Sequence, residues 1–293
     1  MPKGRIIKAL SGFYYIEYND EVIQCRGRGV FRKRKITPLV GDEVTFEFDK
    51  KEEGYILDID QRKNELKRPP IANVDQAIIV SSVKEPDLSL NLLDKFLVLV
   101  EDKGIEPLLF VTKMDLLTPD EKTYWNQKLN YYSEIGCNVQ FLSKYDQDMK
   151  ELLSPYLTDK VSVFAGQSGV GKTSLLNKLI PSLDLETNKI SESLGRGKHT
   201  TRHVELIPFE NGLIADTPGF SAIDFSEIEL EDLPHCFKEF RERSQSCKFR
   251  GCMHINEPQC AVKKSLEDGD IMKERYENYL QFYQEIKSRK PRY

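Results

Sequence analysis

Residues 161–173 read VSVFAGQSGVGKT, an apolar run followed at once by eight residues with the spacing G-x-x-x-x-G-K-[ST]. VSVFAG has the continuous apolar character of a strand buried on both faces, and SLLNKLI behind the motif reads as a helix. A glycine-rich loop between a strand and a helix is the setting in which this motif cradles phosphates. The glycines let the chain curl so that successive N–H groups point at phosphate oxygens, and the helix N-terminus adds its partial positive charge. The cradle comprises Gly166, Gln167, Ser168, Gly169, Val170, Gly171, Lys172, Thr173 and Ser174. Lys172 is placed to bridge the β- and γ-phosphates, and the Thr173 hydroxyl to bind Mg²⁺. An incidental glycine-rich turn is the alternative, and the flanking strand and helix argue against it. The chain is expected to bind a nucleoside triphosphate.

Working outward, GLIADTPGF (residues 212–220) puts Asp216 at the end of an apolar strand in a D-x-x-G arrangement closed by Gly219. The carboxylate can hold Mg²⁺ through water, and the Gly219 N–H can sense the γ-phosphate. Between the two, GRGKHTT (195–201) offers Thr200 and Thr201 as switch hydroxyls. On the amino-terminal side, TKMD (Thr112, Lys113, Met114, Asp115) follows the apolar run LLFV, and LSK (142–144) follows another strand. A carboxylate facing N1–H and the exocyclic amine selects guanine, because adenine presents the opposite pattern there. Asp115 has that role, Lys113 packs its stem along the base, and Ser143 with Lys144 braces the base loop. In most GTPases the phosphate loop comes first. Here TKMD and LSK precede it, so the order is circularly permuted.

These motifs sit on strands expected at 76–83, 106–113, 138–143 and 161–166, alternating with helices at 88–103, 119–135 and 174–180. The alternation implies a parallel α/β sheet covered on both faces. Upstream, FYYIEY, EVIQC, DEVTFEF and GYILDI are short β-type runs separated by turn residues, a pattern that fits a small oligonucleotide/oligosaccharide-binding barrel. Within them, RGRGVFRKRK (26–35) carries six cations and no acid. It reads either as a phosphate-backbone contact with Phe31 as a stacking ring or as a solvated loop. Residues 67–70 (KRPP) read as a linker. Past residue 225 the chain turns to charged helical segments around Cys247, Cys252, His254 and Cys260, spaced C-x4-C-x-H-x5-C. Three thiolates and an imidazole make a closed tetrahedral zinc site, structural rather than catalytic; coincident reduced cysteines are the alternative. Cys25, Cys137 and Cys236 read as ordinary thiols. The expected modules are a barrel at 1–67, a permuted P-loop GTPase α/β domain at 68–224 and a helical zinc module at 225–293.

Composition constrains the rest. Of 293 residues, 39% are hydrophobic and 31% charged, which excludes wholesale disorder. A net charge of −4 exerts no global pull toward nucleic acid or membrane, so polyanion binding must come from local patches. The best apolar run, 96–100, stops at Glu101 and falls far short of a span, and the amino terminus carries no secretory pattern. The expectation is a cytoplasmic protein without membrane association.

With a barrel, a permuted motif order and a Cys/His cluster in sequence, the chain resembles the RsgA family of bacterial small ribosomal subunit biogenesis GTPases over essentially its full length. The resemblance rests on GQSGVGKTSLLN, GRGKHTT, DTPGF, TKMD and C-x4-C-x-H-x5-C. It implies a monomeric cytoplasmic enzyme, not a DNA-binding one, that converts GTP to GDP when stimulated by the 30S subunit late in its maturation and then leaves. It implies contact with 16S rRNA by the barrel and zinc module, and one structural Zn²⁺ besides the Mg²⁺ of the nucleotide. Two positions depart from common GTPase patterns. Thr112 stands where Asn is usual, and Phe220 where Ras-like enzymes keep a water-positioning Gln, so intrinsic turnover should be slow. His199 is the candidate for orienting or activating the attacking water; an exposed loop histidine, or one touching RNA, is the alternative. The rival functions are an ATP-dependent phosphotransferase and an RNA-binding scaffold with a nucleotide switch.

Overall fold

The structure is a computed structural model that describes residues 1–51, 53–143, 145–146, 148–183, 204–220 and 224–289. Strands β1 (Lys3–Leu10), β2 (Phe13–Tyr18), β3 (Glu21–Gly27), β4 (Glu43–Phe48) and β5 (Gly54–Ile59), with helix α1 (Gly29–Arg34) after β3, open the chain. They pair in the closed ring β1-β2-β3-β5-β4-β1, antiparallel except for β3 with β5. Alternation places Ile6, Ile16, Ile23, Val44, Phe46 and Ile56 inside, all fully buried. Gly54 is dictated by the β3–β5 contact: a Cβ there would stand 2.4 Å from Cys25 Sγ. Strand β1 has no counterpart among the runs read from sequence, since Ile6 alone of its eight residues is buried and the alternation is weak.

Two expectations for this region change. Phe31 is a core residue, 3% exposed, not a stacking ring; the one aromatic in a cationic run anchors α1 by burial. Of the flanking cations, Arg28 pairs with Glu47 and Arg26 lies 4.6 Å over the Phe13 ring. Residues 67–70 are not an extended linker either. They form the turn of an antiparallel hairpin between β6 (Glu65–Lys67) and β7 (Pro70–Ala72), where a proline opening a strand costs little. The buried Asp42 carboxylate accepts from Arg62 Nε at 2.7 Å and Nη2 at 2.8 Å, which ties barrel to hairpin and raises the guanidinium pKa.

Then follow β8 (Gln76–Ser82), α2 (Leu90–Asp102), β9 (Glu106–Thr112), α3 (Pro119–Glu134), β10 (Asn138–Phe141), α4 (Met149–Leu157), β11 (Val161–Ala165), α5 (Lys172–Leu179), β12 (Glu205–Phe209), β13 (Gly212–Phe220), α6 (Lys238–Ser244), α7 (Ala261–Glu267) and α8 (Lys273–Lys287). The chain divides into two compact units, residues 1–78 with 146–221 and residues 79–145 with 222–293. In the first, β11 runs parallel to β13, β12 pairs antiparallel with β13, and β12 meets β1 at Lys8↔Glu205. In the second, β9 and β10 run parallel, with Leu108 opposite Asn138.

Helix α2 is buried on more than one stripe. Leu93, Phe96, Leu97 and Val100 are buried, and so are Asp94 and Val98. Val98 joins a carboxyl-terminal core with Phe225, Leu233, Phe237, Phe240, Tyr279 and Phe282. Asp94 enters a buried polar network with Arg275 and Glu239.

Candidate functional site

The phosphate loop belongs to the first unit. Leaving β11, the chain takes positive φ at Gly166 (132°), Gly169 (82°) and Gly171 (100°), conformations that glycine adopts without strain. Val170 is buried and anchors the loop, while Ser168 and Gly169 are exposed at its crest. Helix α5 starts at Lys172 with Gly171 as its cap, so Thr173 and Ser174 lie in its first turn. The Lys172 ammonium donates to the carbonyls of Gly166 and Gln167, each at 2.6 Å. Burial lowers its pKa to about 8. A half-buried ammonium whose partners among the described residues are neutral carbonyls is a group that a phosphate anion would hold more strongly.

Asp216 and Gly219 lie in the carboxyl half of β13, Asp216 opposite Glu205 of β12. His199, Thr200, Thr201 and Lys144 lie outside the described residues.

The TKMD loop belongs to the second unit. Thr112 ends β9, where its hydroxyl donates to the Ser81 carbonyl at 3.3 Å. Lys113 takes left-handed backbone (φ 63°), and its ammonium donates to the Glu85 carbonyl. A short 3-10 turn, Met114–Leu116, then carries Asp115. Ser143, just past β10, donates its hydroxyl to Asp115 Oδ1 at 3.4 Å and accepts from the Tyr145 N–H at 3.2 Å.

The Cys/His cluster is in the same unit. Ligand atoms of Cys247, Cys252, His254 and Cys260 all lie within 4.8 Å of one another. His254 Nδ1 stands 3.3 Å from Cys260 Sγ and 3.7 Å from Cys247 Sγ, and those two sulfurs are 4.0 Å apart. A tetrahedral Zn²⁺ with bonds of about 2.3 Å to sulfur and about 2.0 Å to nitrogen spaces its ligands by roughly 3.5–3.8 Å. The cluster is compatible with a zinc site. The sequence reading missed what holds it: Tyr276 and Tyr279 of α8 donate to the His254 carbonyl (2.6 Å) and the Met253 carbonyl (2.5 Å), and Glu257 accepts the N–H groups of Met253 and Ile255 at 2.8 Å. Two tyrosines three apart on a charged helix were the available signal. Cys25, Cys137 and Cys236 are free buried thiols whose pKa burial pushes up to about 12. Among the described residues no helix is long and apolar enough to cross a membrane.

Comparison with known proteins identifies the family. Residues 59–226 match the family model described as RsgA GTPase, and residues 3–56 match that of the RsgA N-terminal domain. The small ribosomal subunit biogenesis GTPase RsgA of Bacillus cereus is 59% identical over 293 residues, and that of Bacillus subtilis 56% over 298, with both chains of each pair covered in full. The crystal structure of YloQ, described as a circularly permuted GTPase, has 51% identity and a TM-score of 0.86 over 100% of this chain and 97% of that one. YjeQ from Thermotoga maritima has 37% identity and the same TM-score over 99% of each chain. Motif order and fold therefore define a circularly permuted P-loop GTPase with an amino-terminal barrel. The chain belongs to the RsgA family.

Proposed function

We propose that this protein hydrolyses GTP on the small ribosomal subunit late in its maturation, binds 16S rRNA while there, and dissociates once GDP forms. The observation that carries the reading is the loop 166–173, with left-handed backbone at its three glycines and a helix beginning at its lysine. In this reading Gly166 to Ser174 hold the triphosphate, Lys172 neutralises its β- and γ-oxygens, and Thr112, Lys113, Met114, Asp115, Ser143 and Lys144 receive the guanine. Thr173, Thr200, Thr201 and Asp216 are the oxygen donors for Mg²⁺, which when bound neutralises charge on the phosphates. Gly219 senses the γ-phosphate. His199 orients the attacking water, a role that Phe220 cannot fill. Cys247, Cys252, His254 and Cys260 hold one structural Zn²⁺. The same reading makes the protein a cytoplasmic monomer of three modules, 1–67, 68–224 and 225–293.

GTP turnover measured with and without purified 30S subunits tests this. The expected result is slow hydrolysis alone and marked acceleration with subunits, with GTP but not ATP competing for the site. No acceleration, or equal competition by ATP, refutes it.

A further inference from the structure

Guanine loops that carry Asn at the first position use a carboxamide, with two donors and one acceptor, to fasten the loop to its surroundings. Thr112 offers one hydroxyl, directed to Ser81 of β8. Besides the Ser143 bond to Asp115, the segment after β8 fastens the turn. Lys84 Nζ donates to Glu121 Oε2 at 2.8 Å and reaches the Leu116 carbonyl, the last residue of the 3-10 turn that carries Asp115, at 3.4 Å. Glu121 in turn caps α3: its carboxylate accepts the Thr118 N–H at 2.8 Å while its own N–H donates to Thr118 Oγ1 at 3.3 Å. The Lys84 contact, followed by the Thr118 backbone bond, holds the Glu121 carboxyl below its ordinary range. One residue further, the Glu85 carbonyl receives the Lys113 ammonium, and Ser82 Oγ donates to the Pro86 carbonyl at 2.6 Å, closing the segment on itself. The turn bearing Asp115 is thus gripped at Lys113 and at Leu116, and both grips come from residues 84–85.

We propose that Lys84 is a positioning residue for guanine recognition: by bridging the Leu116 carbonyl and the Glu121 carboxylate it fixes the orientation of the turn that presents Asp115 to the base. The proposal rests on Asp115 being the guanine-selecting carboxylate. Lys84 need not touch the nucleotide. Its side chain and that of Glu121 keep 35% and 40% of their exposure, so the bridge is a modest one and the effect of removing it should be modest too.

The test is titration of the full-length protein with GDP, IDP and ADP. Inosine keeps N1–H and lacks the exocyclic amine, so the GDP-to-IDP affinity ratio reads how well Asp115 is aimed at both donors. Lys84→Ala should weaken GDP about two- to fivefold and shrink that ratio, with ADP binding unchanged. Lys84→Arg should restore the ratio, because a guanidinium fork reaches both acceptors. Glu121→Gln should reproduce the loss, and Lys84→Ala should then add little to it, as expected for one shared bridge. Unchanged GDP affinity in Lys84→Ala, or equal loss for all three nucleotides, overturns the proposal. A wild-type protein that binds ADP as tightly as GDP overturns both it and the Asp115 reading, which distinguishes the two failures.

Discussion

Replacing Arg275 by Met keeps an unbranched chain in the core of the second unit but strips a buried cation from two carboxylates. Arg275 is 2% exposed, Asp94 0% and Glu239 1%. Its Nη1 donates to Asp94 Oδ1 at 2.6 Å, its Nε to Glu239 Oε1 at 2.5 Å and its Nη2 to Glu239 Oε2 at 3.3 Å. After the substitution Asp94 retains Tyr132 (2.9 Å) and Asn278 (2.7 Å), and Glu239 retains Tyr131 (3.4 Å), all neutral donors. Removing one partner of a buried pair costs about 3–5 kcal/mol. At about 2–4 °C per kcal/mol for a protein this size, the melting midpoint should fall by roughly 6–20 °C. The only tryptophan, Trp125 of α3, lies in the same unit, so its fluorescence reports the right transition. The loss also has a pH signature. Burial already raises the Asp94 pKa, against the opposing attraction of Arg275, so the folded state holds that proton more tightly than the unfolded chain. Such a group withdraws stability as pH rises from its unfolded toward its folded pKa. Without Arg275 the folded value climbs further, so the deficit of Arg275→Met should be largest near pH 7 and narrow toward pH 5. Adding Asp94→Asn and Glu239→Gln should recover most of the loss at neutral pH, because a neutral network no longer needs the cation. A shift below about 3 °C, or a deficit flat with pH, would show that the buried charges are not what Arg275 compensates.

Affinity for GDP should decline as pH rises above 8, by at most tenfold per unit. The free loop holds Lys172 at a pKa lowered to about 8, whereas a bound diphosphate favours the ammonium, so binding must take up a proton once the free lysine has lost it. Calorimetric titration from pH 7 to 9 reads this; Lys172→Arg should flatten the profile, and a wild-type profile already flat would exclude the lowered pKa. His199→Ala should leave GTP affinity intact and abolish the acceleration by 30S subunits, while Lys172→Ala should weaken binding and hydrolysis together; undiminished acceleration in His199→Ala would remove that residue from water activation. Cobalt(II) refolded into the chelated protein should give the intense thiolate charge-transfer band of tetrahedral S₃N coordination, and Cys252→Ser should shift it and lower the melting midpoint. A weak octahedral spectrum would refute the tetrahedral Cys₃His assignment.

What could be read ahead of the structure, and what could not, divides by the range of the interaction. The loop 166–173 and the Cys/His spacing were legible because the chemistry of each is written within some fifteen consecutive residues, a positive-φ glycine, a lysine opening a helix, a thiol at a fixed interval, and the permuted order because it is only the sequence of such short motifs. The burial of Phe31 was not, because its neighbours in sequence are cations and only the barrel wall shows where the ring goes. The pairs that hold the second unit together were least visible. Asp94 and Arg275 are 181 residues apart, and Lys84 stands 37 from Glu121. A charged residue on an apolar helix reads as a boundary of the buried stripe, which is how Asp94 of α2 looks in isolation. It becomes core only because α8 returns with a cation at the right height, with Tyr132 and Asn278 beside it. Short-range pattern therefore located the candidate ligand-facing residues, whereas the bonds that Lys84 makes to the turn bearing Asp115, and Tyr276 and Tyr279 to the backbone at Met253 and His254, emerge only where segments distant in the chain are brought into contact.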